Sequence, residues 1–317
     1  MRTGGAIAAA VLAGFALAGC GKEAAKVPER PSPTATVASI ATAGGDHTVT
    51  DQLGRTVSLP GQVRTVAALS PAAADYAKAL SLEVVTRTTD TPAATFPSAK
   101  PAGSAISPDF NAIAAADPDL VLADAAYQSG RTRDFDRFSK PVYVFKAASF
   151  EEVLATLTDL GKATDREDEA AKARADLEER GDAARAAARA QGGSPRVLVL
   201  TGGGRDVFAA GSETYIGSLL AFLGATNVTG AVADGGPIPG FGVVEIGAAA
   251  MLKPDVVLVL NSGQGGLAAQ VSSDPAWAAS AAVQQKRIID LDITLFLRAP
   301  GPRAGEALET LSKLLWP

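Results

Sequence analysis

The sequence contains very few of the residues on which metal sites and most hydrolytic enzymes depend. Its 317 residues include one cysteine and one histidine. A lone cysteine cannot form an intramolecular disulfide, and a lone histidine, His47, excludes a metal site built from several histidine ligands. The motifs GxGxxG, GxxxxGK[ST], GxSxG and HExxH are all absent, so no nucleotide-binding loop and no familiar catalytic set is indicated. We therefore predict no metal site and no enzymatic activity.

Basic clusters and aromatic side chains are also scarce. Lys and Arg number 29 against 34 Asp and Glu, which gives a net charge of −5, and aromatic residues make up 5% of the chain. Proteins that bind nucleic acid usually carry a basic patch on one face. Nucleic acid is therefore excluded as a predicted partner.

An apolar segment of small residues lies near the N-terminus. It follows Arg2, runs from Gly4 and closes with Leu17-Ala18-Gly19-Cys20. Because a membrane-spanning helix needs about 20 apolar residues, the segment predicts a secretory signal. The closing four residues look like the bacterial lipobox, in which the cysteine carries a thioether-linked diacylglycerol. The alternative is a soluble secreted protein cleaved near Ala18.

These features predict an exported protein anchored by Cys20 to the outer face of the bacterial cytoplasmic membrane. Residues 1–20 would be signal peptide and lipobox. Residues 21–47 are rich in Ala, Pro, Thr and Ser, which is typical of a flexible tether.

Strands and helices alternate in two stretches, residues 48–148 and 194–317. In the first, the apolar run Val63–Leu69 is followed by Ser70-Pro71, a typical helix start. Alternation of this kind predicts a parallel sheet covered by helices on both faces. The predicted fold class is α/β, with two Rossmann-like lobes whose parallel sheets are joined by a single long helix.

An internal repeat supports two lobes of common design. DFNAIAAADPDLVLA at 109–123 aligns without gaps with EIGAAAMLKPDVVLV at 245–259. Each copy predicts an acidic helix start, a short helix, a proline stop and a buried strand.

The long helix is predicted at Thr164–Gln191, within a linking segment at 149–193. Thr164 and Glu167 have capping-box spacing, and Gly192 supplies a stop. Leu177 is the only large aliphatic side chain, so we expect a helix that is polar nearly all round and bridges the lobes. Gly181 weakens the case for an unbroken rod, since glycine costs about 1 kcal/mol relative to alanine in a helix. The alternative is a solvated helix on the flank of one large domain.

The ordered set of motifs resembles a known family of transport proteins. It comprises the lipobox, TDQLGRTVSLP, VRTVAALSPAAADYAKALSL, PDFNAIAAADPDLVLA, the long helix, GSETYIGSLLAFLGATNV, EIGAAAMLKPDVVLVL, AWAASAAVQQKRIIDLD and APGPRAGEALETLSKLL. The chain is similar over residues 48–317 to the helical-backbone substrate-binding proteins of ABC transporters for ferric siderophores, haem and vitamin B12. The resemblance implies a monomer with little hinge closure that delivers a small-molecule chelate, without a cofactor, to a membrane permease and its ATPase. A scaffold lipoprotein that no longer transports is the alternative.

Members of this family dock on the permease through one glutamate on each lobe. The matching positions here are Asn111 and Gly247, so the chain departs from the pattern on both lobes. Acids stand two residues earlier, at Asp109 and Glu245. We expect these acids to take over docking; the alternative is that they only cap their helices.

The resemblance implies a ferric siderophore as the ligand, with a corrinoid or haem as alternatives. Family haem proteins often carry Tyr or His where this chain has Ser104, although Tyr127 remains a donor. Corrinoid proteins line the cleft with several tryptophans, whereas Trp277 is expected in a structural helix and Trp316 near the chain end. Arginines in loops after strands would suit an anionic chelate. The predicted ligand-binding residues, which share such loop positions, are Arg87, Tyr127, Arg205, Phe241, Phe296 and Arg298.

Overall fold

The computed structural model describes residues 45–136, 138–232, 238–261 and 266–317. The predicted signal peptide, the lipobox with Cys20 and residues 21–44 of the predicted tether lie outside the described residues. His47 opens the first strand, and its Nε2 lies 3.2 Å from the carbonyl oxygen of Ala163. Within the described ranges, no helix combines the length and the apolar character needed to cross a bilayer.

The first lobe is built around a parallel sheet. Its strands are β1 (His47–Thr50), β2 (Thr56–Leu59), β3 (Thr65–Ala68), β4 (Glu83–Arg87), β5 (Lys100–Pro101), β6 (Gly103–Ser104), β7 (Ser107–Pro108), β8 (Leu120–Asp124) and β9 (Val142–Phe145). Its helices are α1 (Pro71–Ala79), α2 (Phe110–Ala115), α3 (Ala125–Gln128) and α4 (Thr132–Phe135). The sheet has the order β5-β4-β3-β8-β9, all parallel, while β1–β2 and β6–β7 are separate hairpins.

Two consecutive helices, α5 (Phe150–Ala163) and α6 (Glu167–Gln191), connect the lobes. The predicted start of the long helix is wrong. Thr164 ends α5, where its hydroxyl donates to the carbonyl of Leu160 at 2.7 Å, and no side chain caps the first residue of α6. The predicted end is confirmed, because the helix stops before Gly192, whose φ of 72° favours glycine.

The second lobe contains a mixed sheet. Its strands are β10 (Arg196–Gly203), β11 (Asp206–Ala210), β12 (Thr226–Asn227), β13 (Phe241–Val243), β14 (Val256–Asn261) and β15 (Ile288–Asp292). Its helices are α7 (Tyr215–Leu223), α8 (Ile246–Ala249), α9 (Leu267–Ser273), α10 (Ala281–Gln284) and α11 (Ala304–Leu315), with a turn of π-helix at Thr294–Arg298.

A parallel sheet was predicted for this lobe, and the prediction holds for only part of it. β10, β12, β14 and β15 are parallel, whereas β11 and β13 are antiparallel to their neighbours. A two-residue turn at Gly204 and Arg205 sends the chain straight back along β10. Gly202 is required there, since a Cβ atom would lie 2.0 Å from the carbonyl oxygen of Asp206.

The long helix is not the polar strut that the sequence suggested. Ala170, Leu177, Gly181, Ala184 and Ala188 form a buried stripe along α6, which packs against α5 and α11. Gly181 does not break the helix. A Cβ there would lie 3.0 Å from Phe150 and 3.3 Å from Leu308, so glycine lets three helices approach closely.

The two copies of the internal repeat make the same contact, in which an aspartate just before a strand accepts a backbone N–H from the neighbouring segment. The carboxylate of Asp119, just before β8, accepts the N–H of Arg64 at 3.0 Å. Asp255, just before β14, accepts the N–H of Arg196 at 2.9 Å in the same way. Each Pro-Asp pair therefore fixes the start of its strand beside a neighbouring parallel strand, β3 in the first lobe and β10 in the second. This shared contact confirms that the two copies have a common local design.

Candidate ligand-binding cleft

A cavity of about 170 Å³ lies where the two lobes meet. Its walls are Pro71, Asp90, Ser104, Ala105, Ile106, Tyr127 and Arg298. Arg298 belongs to the second lobe and the other residues to the first. Pro71, Asp90, Tyr127 and Arg298 follow the carboxyl ends of β3, β4, β8 and β15, the edge at which open α/β sheets bind ligands.

Arg298 carries the most informative charge in this cavity. It stands at the end of the π-helical turn that follows β15, and its side chain is half-buried. Among the described residues it makes neither a hydrogen bond nor an ion pair, although it lines the cavity beside Tyr127. A half-buried guanidinium with five N–H donors and no protein acceptor is suited to an anionic ligand.

Tyr127 contributes a neutral phenol. α3 begins after Asp124, whose Oδ1 accepts the N–H of Ala126 at 2.9 Å, and this cap sets the direction of the short helix. Burial raises the pKa of the Tyr127 hydroxyl well above its usual range, and the nearby carboxylate of Asp124 raises it further while Arg298 lowers it. At neutral pH Tyr127 is therefore a hydrogen-bonding group and not a phenolate.

A buried carboxyl group, that of Asp124, lies near Tyr127. Asp124 is fully buried at the end of β8, and the Ser70 hydroxyl donates to its Oδ2 at 3.3 Å. Burial raises its pKa to about 6, against the opposing effect of the hydrogen bonds from Ala126 and Ser70. Asp124 is therefore partly protonated in mildly acidic solution.

The other predicted arginines do not line this cavity. Arg87 ends β4, as predicted, but its Nη1 donates to the carbonyls of Thr88 and Thr91 at 3.2 Å each. Arg205 lies exposed in the turn between β10 and β11. The structure thus brings Tyr127 and Arg298 together and leaves Arg87 and Arg205 outside the cavity wall.

The two predicted aromatic walls are core residues. Phe241 and Phe296 are each only 1% exposed and belong to the main hydrophobic core. They offer no surface to a ligand in this structure. Sequence position alone could not distinguish these roles, because a phenylalanine after a strand end can point either way.

Asp90 and Ile106 were not predicted to line the cavity. Asp90 follows an ordinary strand in a Thr-rich loop, where no motif marks it. Ile106 lies between two short strands, where no periodicity marks it. Only the folded chain places both beside Tyr127.

The two acids expected to dock on a partner cap their helices. Asp109 Oδ1 accepts the N–H groups of Asn111 and Ala112 at 3.0 Å each, and α2 begins there. Glu245 accepts the N–H groups of Gly247 and Ala248 at 3.1 and 2.7 Å at the start of α8. Both residues are exposed, so capping leaves them accessible.

A larger, shallow depression of about 490 Å³ lies beside α2 on the first lobe. Its lining comes from that lobe only, and its single cation, Arg131, is 3.7 Å from Asp134. We regard the smaller cavity as the candidate site, because both lobes build it and its guanidinium has no acceptor among the described residues. No group of three or more His, Cys, Asp or Glu residues positioned for a metal ion occurs in the part of the chain described here.

A family model described as "Periplasmic binding protein" matches residues 63–294, and the chain belongs to this family. Among curated proteins, the Fe(3+) dicitrate-binding periplasmic protein FecB of Escherichia coli K12 is 26% identical over 208 residues, or 65% of this chain. The match spans 66% of that relative's length, just under two thirds.

Solved structures share the fold over nearly their whole length. The petrobactin-binding protein YclQ of Bacillus subtilis has a TM-score of 0.72 at 20% identity, covering 85% of this chain and 98% of its own. The haem-binding protein RhuT of Roseiflexus sp. RS-1 has a TM-score of 0.67 at 25% identity, with 80% and 98% covered. SirA of Staphylococcus aureus, solved with staphyloferrin B, has a TM-score of 0.68 at 18% identity, with 85% and 98% covered. These likenesses confirm the predicted α/β fold with two lobes.

Proposed function

We propose that this chain captures a ferric siderophore in the cleft between its lobes and delivers it to an ABC permease. The observation that carries the proposal is Arg298, a half-buried guanidinium in the cavity wall without an acceptor among the described residues. Ferric complexes of carboxylate chelators are anionic, and guanidinium pairs with carboxylates in a bidentate geometry.

The relatives support an iron chelate. FecB is named for ferric dicitrate, YclQ for petrobactin, and SirA was solved with staphyloferrin B. A neutral Tyr127 and the carboxylate of Asp90 on the same wall add a hydrogen-bond donor and an acceptor. This combination provides one electrostatic anchor and two groups that fix orientation.

Haem is the second candidate, because RhuT is named as a haem-binding protein. Of the cavity-lining side chains, only Tyr127 could supply an oxygen ligand of the kind that family haem proteins use. Its raised pKa opposes the phenolate that iron ligation needs, and Ser104 replaces the expected aromatic donor. A corrinoid is disfavoured because Trp277 is buried in the core and Trp316 donates to the carbonyl of Gly192, away from the cavity.

The remaining parts of the proposal concern the membrane. We propose that Cys20 carries the lipid anchor, and that Asp109 and Glu245 present one acid on each lobe to cationic groups of the permease. Capping uses some lone pairs of each carboxylate, and the outward-facing ones stay available to an arginine. The non-transporting scaffold remains the competing hypothesis, since the glutamates of the family pattern are absent.

The direct test is calorimetric titration with ferric citrate, ferrioxamine B, ferric enterobactin, haemin and cobalamin. Calorimetry is preferable to tryptophan fluorescence, because neither tryptophan lines the cavity. We expect saturable binding of an anionic ferric chelate, and at least a tenfold loss of affinity in Arg298→Gln, the size typical of a lost charge-assisted contact.

Arg205→Gln is the matched control, since it removes an exposed arginine of the same lobe that does not line the cavity. It should leave the affinity unchanged. Tight binding of haemin alone would favour the second candidate, and absence of saturable binding to every compound would favour the scaffold.

A further inference from the structure

One rim of the cleft is a very short hairpin, formed by β6 and β7 with Ala105 and Ile106 at its tip. We call residues 103–108 the rim hairpin. Gly103 has φ 77°, and a Cβ there would lie 2.3 Å from the carbonyl oxygen of Ser107. The close approach of the two strands therefore requires glycine at this position.

The tip of the rim hairpin is held by side chains from outside it. The N–H of Ala105 donates to Asp90 at 2.8 Å, and its carbonyl accepts from Gln128 at 2.6 Å. Arg131 donates to the carbonyl of Ile106, also at 2.6 Å. Three backbone groups of this two-residue turn are thus held by side chains from neighbouring segments.

Gln128 links the rim hairpin to the ends of two sheet strands, β3 and β8. Its side chain is fully buried, its Nε2 also reaches the carbonyl of Leu69 at 3.3 Å, and its Oε1 accepts the N–H of Asp124 at 2.7 Å. One amide thus bonds to the residue after β3, the end of β8 and the hairpin tip. A buried amide that is satisfied on both ends holds its partners in one geometry.

The hydrogen bonds at the tip of the rim hairpin hold Ile106 at the wall of the cavity. Among the described residues, the large hydrophobic side chains that are clearly exposed are Ile106, Val243 and Met251, and Ile106 alone lines the cavity. Ile106 is 69% exposed, although Arg131 holds its backbone carbonyl. A fixed backbone carrying an exposed aliphatic side chain beside Arg298 and Tyr127 is suited to contact with an apolar part of a ligand.

We propose that the rim hairpin is a specificity element, in which Ile106 contacts the hydrocarbon part of the bound chelate and Gln128 is the positioning residue that holds it there. The inference rests on the proposed function. It assigns the substrate class more narrowly, as a chelate with an anionic group for Arg298 and an aliphatic or aryl group for Ile106.

The first experiment compares Ile106→Ser with Val243→Ser. Both substitutions remove an exposed aliphatic side chain, and neither should affect folding. Kd is measured by calorimetry for whichever of ferric citrate, ferrioxamine B and ferric enterobactin the unmodified protein binds most tightly. We expect about a fivefold rise in Kd for Ile106→Ser, roughly half of the effect of fully burying an isoleucine, and no change for Val243→Ser. Equal Kd values for both variants would overturn the assignment of Ile106.

The second experiment tests Gln128 by hydrogen–deuterium exchange on the ligand-free protein. Gln128→Met keeps the side-chain volume but removes both donors and the amide acceptor. Thr164→Val is the control, because it removes one buried hydrogen bond far from the cleft. We expect at least tenfold faster exchange of the Ala105 amide in Gln128→Met only, together with weaker binding of the same chelate.

The two experiments separate the possible failures. If no chelate binds the unmodified protein, the proposed function is wrong. The proposed ligand contact of Ile106 is then wrong as well. The exchange rates still decide whether Gln128 holds the rim hairpin, because they need no ligand. Unchanged exchange in Gln128→Met would overturn its positioning role even if binding is normal.

Discussion

Asp124→Asn should change how the stability of the protein depends on pH. Asp124 is fully buried, and burial raises its pKa from 3.8 to about 6. Between these values the folded state holds a proton that the unfolded state has released. The free energy of unfolding therefore falls as pH rises from about 4 towards 7, since stability changes with the difference in bound protons.

The size of the change in unfolding free energy follows from the shift in the pKa of Asp124. A displacement of about two pKa units corresponds to about 3 kcal/mol across this pH range. Asparagine keeps both contacts in a compatible form, because its Oδ1 can accept the N–H of Ala126 and its Nδ2 can donate to the Ser70 hydroxyl. The variant should therefore be more stable than the original at pH 7.5 and about equally stable at pH 4.5.

Urea unfolding at five pH values between 4.5 and 7.5 measures both quantities. The half-buried Asp75 also has a pKa raised by burial to about 6, so some pH dependence should persist in the Asp124 variant and be reduced further in Asp75→Asn with Asp124→Asn. If Asp124→Asn shows the same slope of unfolding free energy against pH as the original protein, the argument from burial is wrong.

Three further predictions concern packing, each measured by urea unfolding. Leu177→Ala should cost about 2–5 kcal/mol, because Leu177 is 1% exposed between α6 and its neighbours; a loss under 1 kcal/mol would mean that the long helix is not packed as described. Gly161→Ala should destabilise despite the better helix propensity of alanine, because the new Cβ would lie 2.5 Å from the Cβ of Ala170; a stability gain would contradict the close approach of α5 and α6. Thr86→Val should be neutral or stabilising by about 1 kcal/mol, since the buried Thr86 hydroxyl has no hydrogen-bond partner in the described structure. The control is Thr156→Val, which should destabilise because the Thr156 hydroxyl donates to the carbonyl of Lys146 at 2.6 Å.

Much of the first lobe was predictable because its signals are local. Ser70-Pro71 predicted the start of α1, and the structure shows the Ser70 hydroxyl accepting the N–H of Ala73 at 3.0 Å. The β1–β2 hairpin also depends on a local signal, because the loop between its strands contains Gly54, whose φ is 81°. Such features depend on a few adjacent residues, so the sequence states them directly.

The predicted start of the long helix was wrong for a physical reason. Thr164 and Glu167 have capping spacing, but Thr164 was already committed to the end of α5, because the bend into α6 begins there. The prediction of a helix that is polar nearly all round was wrong for a related reason. That prediction rested on large aliphatic side chains, of which the helix has one, Leu177; yet alanines and a glycine complete the buried stripe of α6, because small residues allow close helix packing.

The candidate site was predictable only in part. Arg298 and Tyr127 follow strand ends, and the fold brings them to one cavity. Arg87 follows a strand end equally well, but its guanidinium turns to the carbonyls of Thr88 and Thr91. Which arginine stays free depends on acceptors in neighbouring loops, and sequence spacing does not record these.

The sequence by itself determined the two-lobed α/β design, the repeated Pro-Asp strand starts and the absence of a multi-histidine site, because periodicity, capping residues and composition act over short distances along the chain. The tertiary structure alone decided which side chains share the cleft, because Arg298 and Tyr127 lie more than a hundred residues apart in the sequence. It also decided that Phe241 and Phe296 are buried and that Gln128 joins three separate segments. Burial and hydrogen bonding between distant segments are properties of the packed chain, and they exist only once the lobes have come together.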